Sequence, residues 1–363
     1  MSAFGFETSR PLIARWTTLI ASALVSTVLL VGIGCDGPSS DQDFIGFDGQ
    51  AMGTQYGIVY RPVNEFDEEA IVQAEIDALL EQLDEELSNW RTDSWVSKFN
   101  EAPASVEIEI PEHALQVLSK SLDIARLSNG ALDPTVSPLV ELWGFGASEP
   151  PPAVPSDALV ERTMEHCGYE NLTVDPNAQT VRKERAGLQL NLSAVAKGYA
   201  VDSIAKILDQ HEIVDYLVEF GGELKAVGVS PKGRPWRVGI SKPIANLDRP
   251  RTIDQVLLEN RALATSGNYQ NFLKRDEEVY SHIIDPRTGF PVDNQVLSVS
   301  VVAPDCALAD GLATACVVLG VDGARSLIDS LTNVETLVVV RSNEGPIRIV
   351  ATDGWPGMVP PDE

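Results

Sequence analysis

The sequence predicts an α+β fold of mixed sheets with packed helices, and three observations lead there. Apolar residues recur at helical spacing in some segments and as short continuous runs in others. The two kinds are interspersed without the strict strand–helix–strand alternation of a doubly wound sheet. The 363 residues, 44% hydrophobic and 22% charged, also suffice for two packed lobes or one large domain with its own core. No internal repeat is visible.

The elements follow in chain order. Residues 35–50 are polar and turn-rich and read as a tether. Gln55 to Tyr60 reads as a short first strand. From Glu65 to Leu87, Ile76, Leu79, Leu80, Leu83 and Leu87 fall at helical spacing among many acids, an amphipathic helix. A second helix starts near Pro111, a favoured first-turn residue. It carries Leu115, Leu118, Leu122 and Ala125 on one face and stops at Asn129-Gly130. The Pro-rich stretch 147–157 is a loop or sub-domain connection. A third helix covers about 197–210, with Val201, Ile204, Ala205 and Leu208 as its apolar face. Strands are expected at Tyr216–Phe220, Leu224–Val229, Trp236–Ile240 and Val296–Ala303. Helices at about 307–319 and 322–331 come next, then strands at Thr336–Val340 and Ile347–Val350.

Charge and cysteine content exclude several classes. With 27 Lys+Arg against 53 Asp+Glu, the net charge is -26, and such a surface repels a phosphate backbone, so no nucleic-acid partner is expected. Four Cys and four His argue against a disulfide scaffold or a Cys/His zinc cluster. A metal here would be a hard cation on oxygen ligands.

The N-terminus reads as an export signal over residues 1–34. Arg10 and Arg15 precede an uncharged run, Trp16 to Gly34, that ends on Cys35. Gly34-Cys35 resembles a bacterial lipobox, in which the Cys is lipidated, although Gly32 stands where Leu is usual. The alternative is an uncleaved anchor, since 19 residues also span a bilayer. Both place the body outside the cytoplasm and on a membrane. Gly32, Gly34 and Gly37 spell a dinucleotide fingerprint, but an export signal precedes them and Pro38-Ser39-Ser40 follows, so the strand-turn-helix context is missing. The folded domain is expected over 51–352, with a tail at 353–363.

Several short segments are over-specified for plain packing. They are Met52-Gly53-Thr54; Leu87 to Ser94, leading to Phe99-Asn100; Gly130 to Val136, followed by Leu142-Trp143-Gly144-Phe145-Gly146; and Asn191 to Asp202. Phe220-Gly221-Gly222-Glu223, Thr265-Ser266-Gly267, Ser281 to Gly289 and Ala309 to Thr314 complete the series. Asp310 and Thr314, at i and i+4, put a carboxylate and a hydroxyl on one helix face. Together they suit Mg²⁺, which takes few protein oxygens and fills its other sites with phosphate and water. Capping or a helix-surface role is the alternative. Lys197 meets a helix start where both could face a phosphate, unless it is a solvated lysine. His282 is either a general base or a structural histidine bonding its turn. Trp90 either stacks on an aromatic ring or packs in the core. Gly221-Gly222 permits close backbone approach to a ligand, or a tight turn.

Taken in order over about residues 50–345, these segments resemble the FAD:protein FMN transferase (ApbE) family, many of whose members are exported and lipid-anchored. The resemblance implies a two-lobed, T-fold-related architecture. It implies Mg²⁺-dependent transfer of FMN from FAD to a Thr or Ser hydroxyl of a flavoprotein, with AMP leaving. Metal contacts carry over to the Ala194 carbonyl, Asp310 and Thr314. Flavin contacts carry over to Met52, Trp90, Ala131, Leu132, Asp133, Asn191 and Lys197, and His282 occupies the position of the proposed base. Expected partners are acceptor domains of respiratory Na⁺- or H⁺-translocating complexes, or exported flavin reductases. Asn191 stands where Asp is usual, and Trp90 where Tyr is common. An FAD pyrophosphatase and a flavin-binding lipoprotein without chemistry are the alternatives.

Overall fold

In the computed structural model, residues 44–63, 68–151, 153–243, 252–268, 272–275, 278–342 and 347–357 are described. The expected signal, Cys35, the start of the tether and the end of the tail lie outside them. In chain order come β1 (Ile45–Ala51), β2 (Thr54–Tyr60), α1 (Glu68–Leu87), α2 (Trp95–Glu101), β3 (Ile108–Glu109), α3 (Glu112–Leu127), α4 (Ser137–Trp143) and α5 (Asp157–Met164). Then follow β4 (Leu172–Asp175), β5 (Thr180–Lys183), α6 (Ser193–Gln210), β6 (Tyr216–Phe220), β7 (Glu223–Val227), β8 (Trp236–Ser241), β9 (Thr252–Leu258) and β10 (Arg261–Gly267). The last are β11 (Phe272–Arg275), β12 (Glu278–Ser281), β13 (Val296–Ala303), α7 (Cys306–Asp329), β14 (Glu335–Val340) and β15 (Arg348–Ala351).

Eight strands form one antiparallel sheet in the order β1-β2-β6-β7-β10-β13-β14-β15. Its residues alternate between two cores, as the period of a strand requires. Tyr56, Ile58, Tyr60, Val218, Phe220, Val299 and Val301 join the main core under α1, α3, α6 and α7. Val59, Leu217, Leu224, Ala226, Leu263 and Val302 face the other way, under the β8–β9 hairpin and Trp355. A third, smaller core gathers Leu139, Trp143, Val160, Cys167 and Ile284 around α4 and α5. Cys167, Cys306 and Cys316 are free and buried, acting as small core hydrophobes.

The α+β expectation holds, and the main helices stand where their periodicity placed them. Val72, Ile76, Leu80, Leu83 and Leu87 of α1 are all buried. The helix α3 ends as expected, with Asn129 (φ 51°) and Gly130 (φ 77°) left-handed and Gly130 N–H returning to Ala125 O at 2.8 Å. Two expected helices near the C-terminus are the two halves of α7, broken at Gly320 (φ 71°, ψ -175°).

Three boundaries need correction. The tether reading fails from residue 45 onward, because 45–51 is the edge strand β1, paired residue by residue with β2. The start of the tail is also part of the fold: Trp355 Nε1–H donates to Asp254 Oδ2 at 2.7 Å and Gly357 bridges Val256. Finally, α6 begins at Ser193 rather than 197, which places Lys197 in its second turn.

Candidate active site

Two tight hairpins reach the same place. Ala51 pairs with Thr54 and Phe220 with Glu223, so Met52-Gly53 and Gly221-Gly222 are two-residue turns. Both central residues have positive φ in each, 46° and 76° in the first and 63° and 107° in the second. Glycine adopts this at no steric cost, whereas Met52 is held there against its preference. A Cβ on Gly221 would sit 2.9 Å from Thr54 Oγ1 and 3.4 Å from Lys197 Cδ. The Met52 hairpin, the Gly221 hairpin and Lys197 are therefore neighbours.

Behind them α6 crosses α7. Gly198 has no side chain to hold the helices apart: a Cβ there would meet Cys306 O at 2.3 Å. Two carboxylates fasten the crossing. Asp202 Oδ2 accepts from Cys306 N–H (2.9 Å) and Ala307 N–H (3.0 Å), the orphan donors at the start of α7, while Oδ1 takes Lys225 Nζ at 2.9 Å. One turn on, Asp310 Oδ2 accepts from Gly198 N–H at 3.0 Å. In a regular helix that N–H serves the Ala194 carbonyl, so Asp310 competes for its donor. Asp310 Oδ1 has no hydrogen-bond partner among the described residues. Thr314 Oγ1 lies 3.5 Å from Ser266 Oγ, too far for a strong bond.

The charges are coupled. Lys197 Nζ pairs with Glu223 Oε1 at 2.7 Å, and the Glu223 side chain is almost wholly buried. Burial would lower the Lys197 pKa, but Glu223 and Asp310 outweigh it and hold the ammonium above its usual value. Burial raises Glu223 against the pull of Lys197. Burial, with Glu223 nearby, pushes Asp310 up to about 8, opposed by Lys197 and the Gly198 amide. Glu223 Oε2 is buried without a partner. An excess of carboxylate, an orphaned oxygen and an all-oxygen donor set (Ala194 C=O, Asp310, Thr314) fit a hard divalent cation. Among the described residues no group of three or more His, Cys, Asp or Glu side chains forms a cage. Such a site suits a cation that draws its other ligands from phosphate and water.

A second cluster adjoins the first through the start of α6. Trp90 is 70% exposed on a turn whose N–H groups at 90 and 91 both reach Ser88 Oγ, so core packing is excluded for it. Arg91 braces that turn against Glu81 (2.8 Å), Asp84 (3.3 Å) and Asp93 (3.2 Å). Asn89 Nδ2–H donates to Leu190 O at 2.8 Å, which ties the residue before Trp90 to the residue before Asn191. Asn191 Oδ1 accepts from Ser193 N–H and Oγ–H at 3.1 and 2.6 Å, and its N–H reaches Pro134 O at 2.7 Å. Ala131 and Leu132 are buried. Asp133 is engaged locally, accepting from Thr135 N–H (2.7 Å), Thr135 Oγ–H (2.6 Å) and Tyr169 N–H (3.0 Å). Burial raises its pKa against those bonds. A direct contact from this segment to a ligand must then come from its backbone.

His282 follows β12 and meets the Phe145 ring edge-on at 6.4 Å between centroids. The adjoining Ser281 Oγ–H donates to Asn268 Oδ1 at 2.7 Å, tying this loop to the residue after β10, the strand that carries Ser266. Glu223, Asp202 and Ser266 lie in segments the sequence marks as over-specified, but nothing in the sequence assigned them a role in this assembly.

Comparisons with known proteins identify the family of the chain. The ApbE family model matches residues 52–338. The chain belongs to the ApbE family. A Vibrio cholerae protein named FAD:protein FMN transferase is 37% identical over 324 residues, 89% of this chain and 94% of the relative. The solved flavin transferase ApbE of Vibrio cholerae superposes with a TM-score of 0.77 at 36% identity, covering 86% of this chain and 97% of that one. The apo flavinyl transferase ApbE of Pseudomonas stutzeri gives a TM-score of 0.77 at 33% identity, covering 86% and 95%.

Proposed function

We propose that this protein transfers FMN from FAD to a Thr or Ser hydroxyl of a target flavoprotein, releasing AMP. Two features carry the reading in a chain of this family: an exposed indole at Trp90, whose neighbour Asn89 bonds the segment leading into α6, and a lysine and oxygen-donor cluster at Lys197, Asp310 and Thr314 where α6 crosses α7. One half suits a flat apolar ring, the other a pyrophosphate.

The residues divide the work. Trp90 stacks on the isoalloxazine ring, while Met52, Asn191 and the backbone of 131–133 fix its orientation. Lys197, held as a cation by Glu223, faces the pyrophosphate. Asp310, Thr314 and the Ala194 carbonyl would hold Mg²⁺, which would supply neutralisation of phosphate charge when bound. His282 takes the proton of the incoming hydroxyl, contributing on the order of 10²–10⁴-fold. The hydroxyl oxygen bonds to the FMN phosphorus, the bond to the AMP oxygen breaks, and AMP departs.

Residues 1–34 and Cys35 support export with a lipid anchor, which makes exported domains on the same membrane face the natural acceptors. Subunits of Na⁺- or H⁺-translocating respiratory complexes and exported flavin reductases fit that location. The test is incubation with FAD, Mg²⁺ and an acceptor domain, followed by intact mass. A gain of one FMN phosphoester on the acceptor, with AMP in solution, supports transfer. Free FMN and AMP with an unmodified acceptor supports hydrolysis instead, and unconsumed FAD supports binding alone.

A further inference from the structure

Asn100 and Lys183 take no part in the chemistry proposed above, yet they meet at the node of its flavin-side half. Lys183 is 1% exposed. Its Nζ donates to three main-chain carbonyls, Phe99 O (3.0 Å), Asn100 O (2.9 Å) and Leu188 O (3.0 Å), and lies 5.1 Å from the Phe99 ring centroid. Among the described residues no carboxylate pairs with it. A buried ammonium persists without a counter-ion only when its protons are all hydrogen-bonded, and here three protons have three acceptors. Two of those acceptors are the late carbonyls of α2, where a cation also meets the negative end of the helix.

With α2 held in this way, the Asn100 side chain clamps one residue. Its Oδ1 accepts from Leu190 N–H at 2.7 Å, and its Nδ2–H donates to Leu190 O at 3.0 Å. The amide stands in for a strand partner on a segment that belongs to none of the sheets. Leu190 O also takes Asn89 Nδ2–H at 2.8 Å. Asn89 precedes Trp90, Leu190 precedes Asn191, and Asn191 N–H reaches Pro134 O beside Asp133. Three separate flavin-side segments are thus referred to one clamped residue.

The geometry points to Asn100, braced by Lys183, as the positioning residue that sets the spacing of Trp90 and Asn191 and so the grip on the isoalloxazine ring, an inference that rests on the flavin reading above. It acts on the ring and leaves the pyrophosphate half alone. Riboflavin carries the ring without phosphate, and ADP carries the other half without the ring. Affinity for each is measured on wild type, Asn100→Ala, Asn100→Asp and Lys183→Met, by quenching of flavin fluorescence for riboflavin and by calorimetry for ADP. Loss of the clamp weakens riboflavin about tenfold in Asn100→Ala, with ADP affinity unchanged. In turnover, KM for FAD rises while kcat holds. Asn100→Asp keeps the acceptor for Leu190 N–H and recovers part of the loss. Lys183→Met follows the same pattern where it folds, and Asn100→Ala carries the test where it does not.

Unchanged riboflavin affinity in Asn100→Ala, with only a lower melting temperature, overturns the inference. An equal loss of riboflavin and ADP overturns it too, since that marks general distortion. Wild type that binds no riboflavin overturns the flavin reading itself, and this inference with it.

Discussion

Replacing Gly198 by Ala tests whether the α6–α7 crossing sets the geometry of the site. The added Cβ would lie 2.3 Å from Cys306 O, 2.6 Å from Cys306 C and 2.8 Å from Ala307 N. All three are main-chain atoms at the start of α7, so no rotamer change relieves the clash. Reaching ordinary contact at 3.4 Å displaces α7 from α6 by about 1.1 Å. That displacement stretches the two bonds from Asp202 and the bond from Gly198 N–H to Asp310, all now 2.9–3.0 Å. Overpacking of this kind costs about 1–3 kcal/mol of stability. A misplacement near 1 Å costs on the order of 10²-fold in rate, because Asp310 and Thr314 move away from Ala194 and Lys197. The assay is the initial rate of FMN attachment to an acceptor, normalised to folded protein, beside a thermal melt. Gly57→Ala is the control, since a Cβ at that position would meet nothing within 4 Å. Gly198→Ala turning over at the wild-type rate would refute the reasoning, because the site would then tolerate a shifted α7.

Other perturbations separate the parts. Trp90 is 70% exposed, so Trp90→Ala leaves the melting temperature nearly unchanged while KM for FAD rises about three- to tenfold; Trp90→Phe retains most of the affinity. Asp310 is pushed up to about 8, so protons compete with Mg²⁺ there, and apparent Mg²⁺ affinity by calorimetry rises with pH before levelling near 8. A pH-independent affinity contradicts the assignment. In the metal-free protein the same raised pKa contributes stability at low pH that is lost as pH climbs through about 8, and melts with and without Mg²⁺ show the metal restoring it. Lys197→Met leaves buried Glu223 without its cation beside Asp310, so its melting temperature falls further below wild type at pH 8 than at pH 6.

Much of the fold was legible because its helices carry wide apolar faces. The residues Ile76, Leu80, Leu83 and Leu87 could face only one way, and Asn129-Gly130 could end α3 only as it does. The strand β1 escaped notice because it is an edge strand: its residues, IGFDGQA, alternate between half-buried and exposed and bury no continuous face. Polar and glycine residues there read as a tether. In the site, spacing put Asp310 and Thr314 on one helix face and Lys197 near a helix start but left capping and a solvated lysine open; it was the family resemblance that joined the three. The partner of Lys197 was not, since Glu223 lies far along the chain and only the β6–β7 hairpin brings it to α6. Asp202 was equally hidden, because a carboxylate that caps a distant helix has no local signature. Trp90 was open between core and ligand, and its exposure excludes the core.

The central claim is that Ala194 O, Asp310 and Thr314 hold the cation while Trp90 holds the ring of the same FAD molecule. A crystal grown with FAD and Mn²⁺, measured at an anomalous wavelength, tests it directly. The expected result is a peak within direct coordination distance of those three oxygens, next to the pyrophosphate, with the isoalloxazine stacked on the Trp90 indole. A peak elsewhere, or a flavin bound away from Trp90, would contradict it.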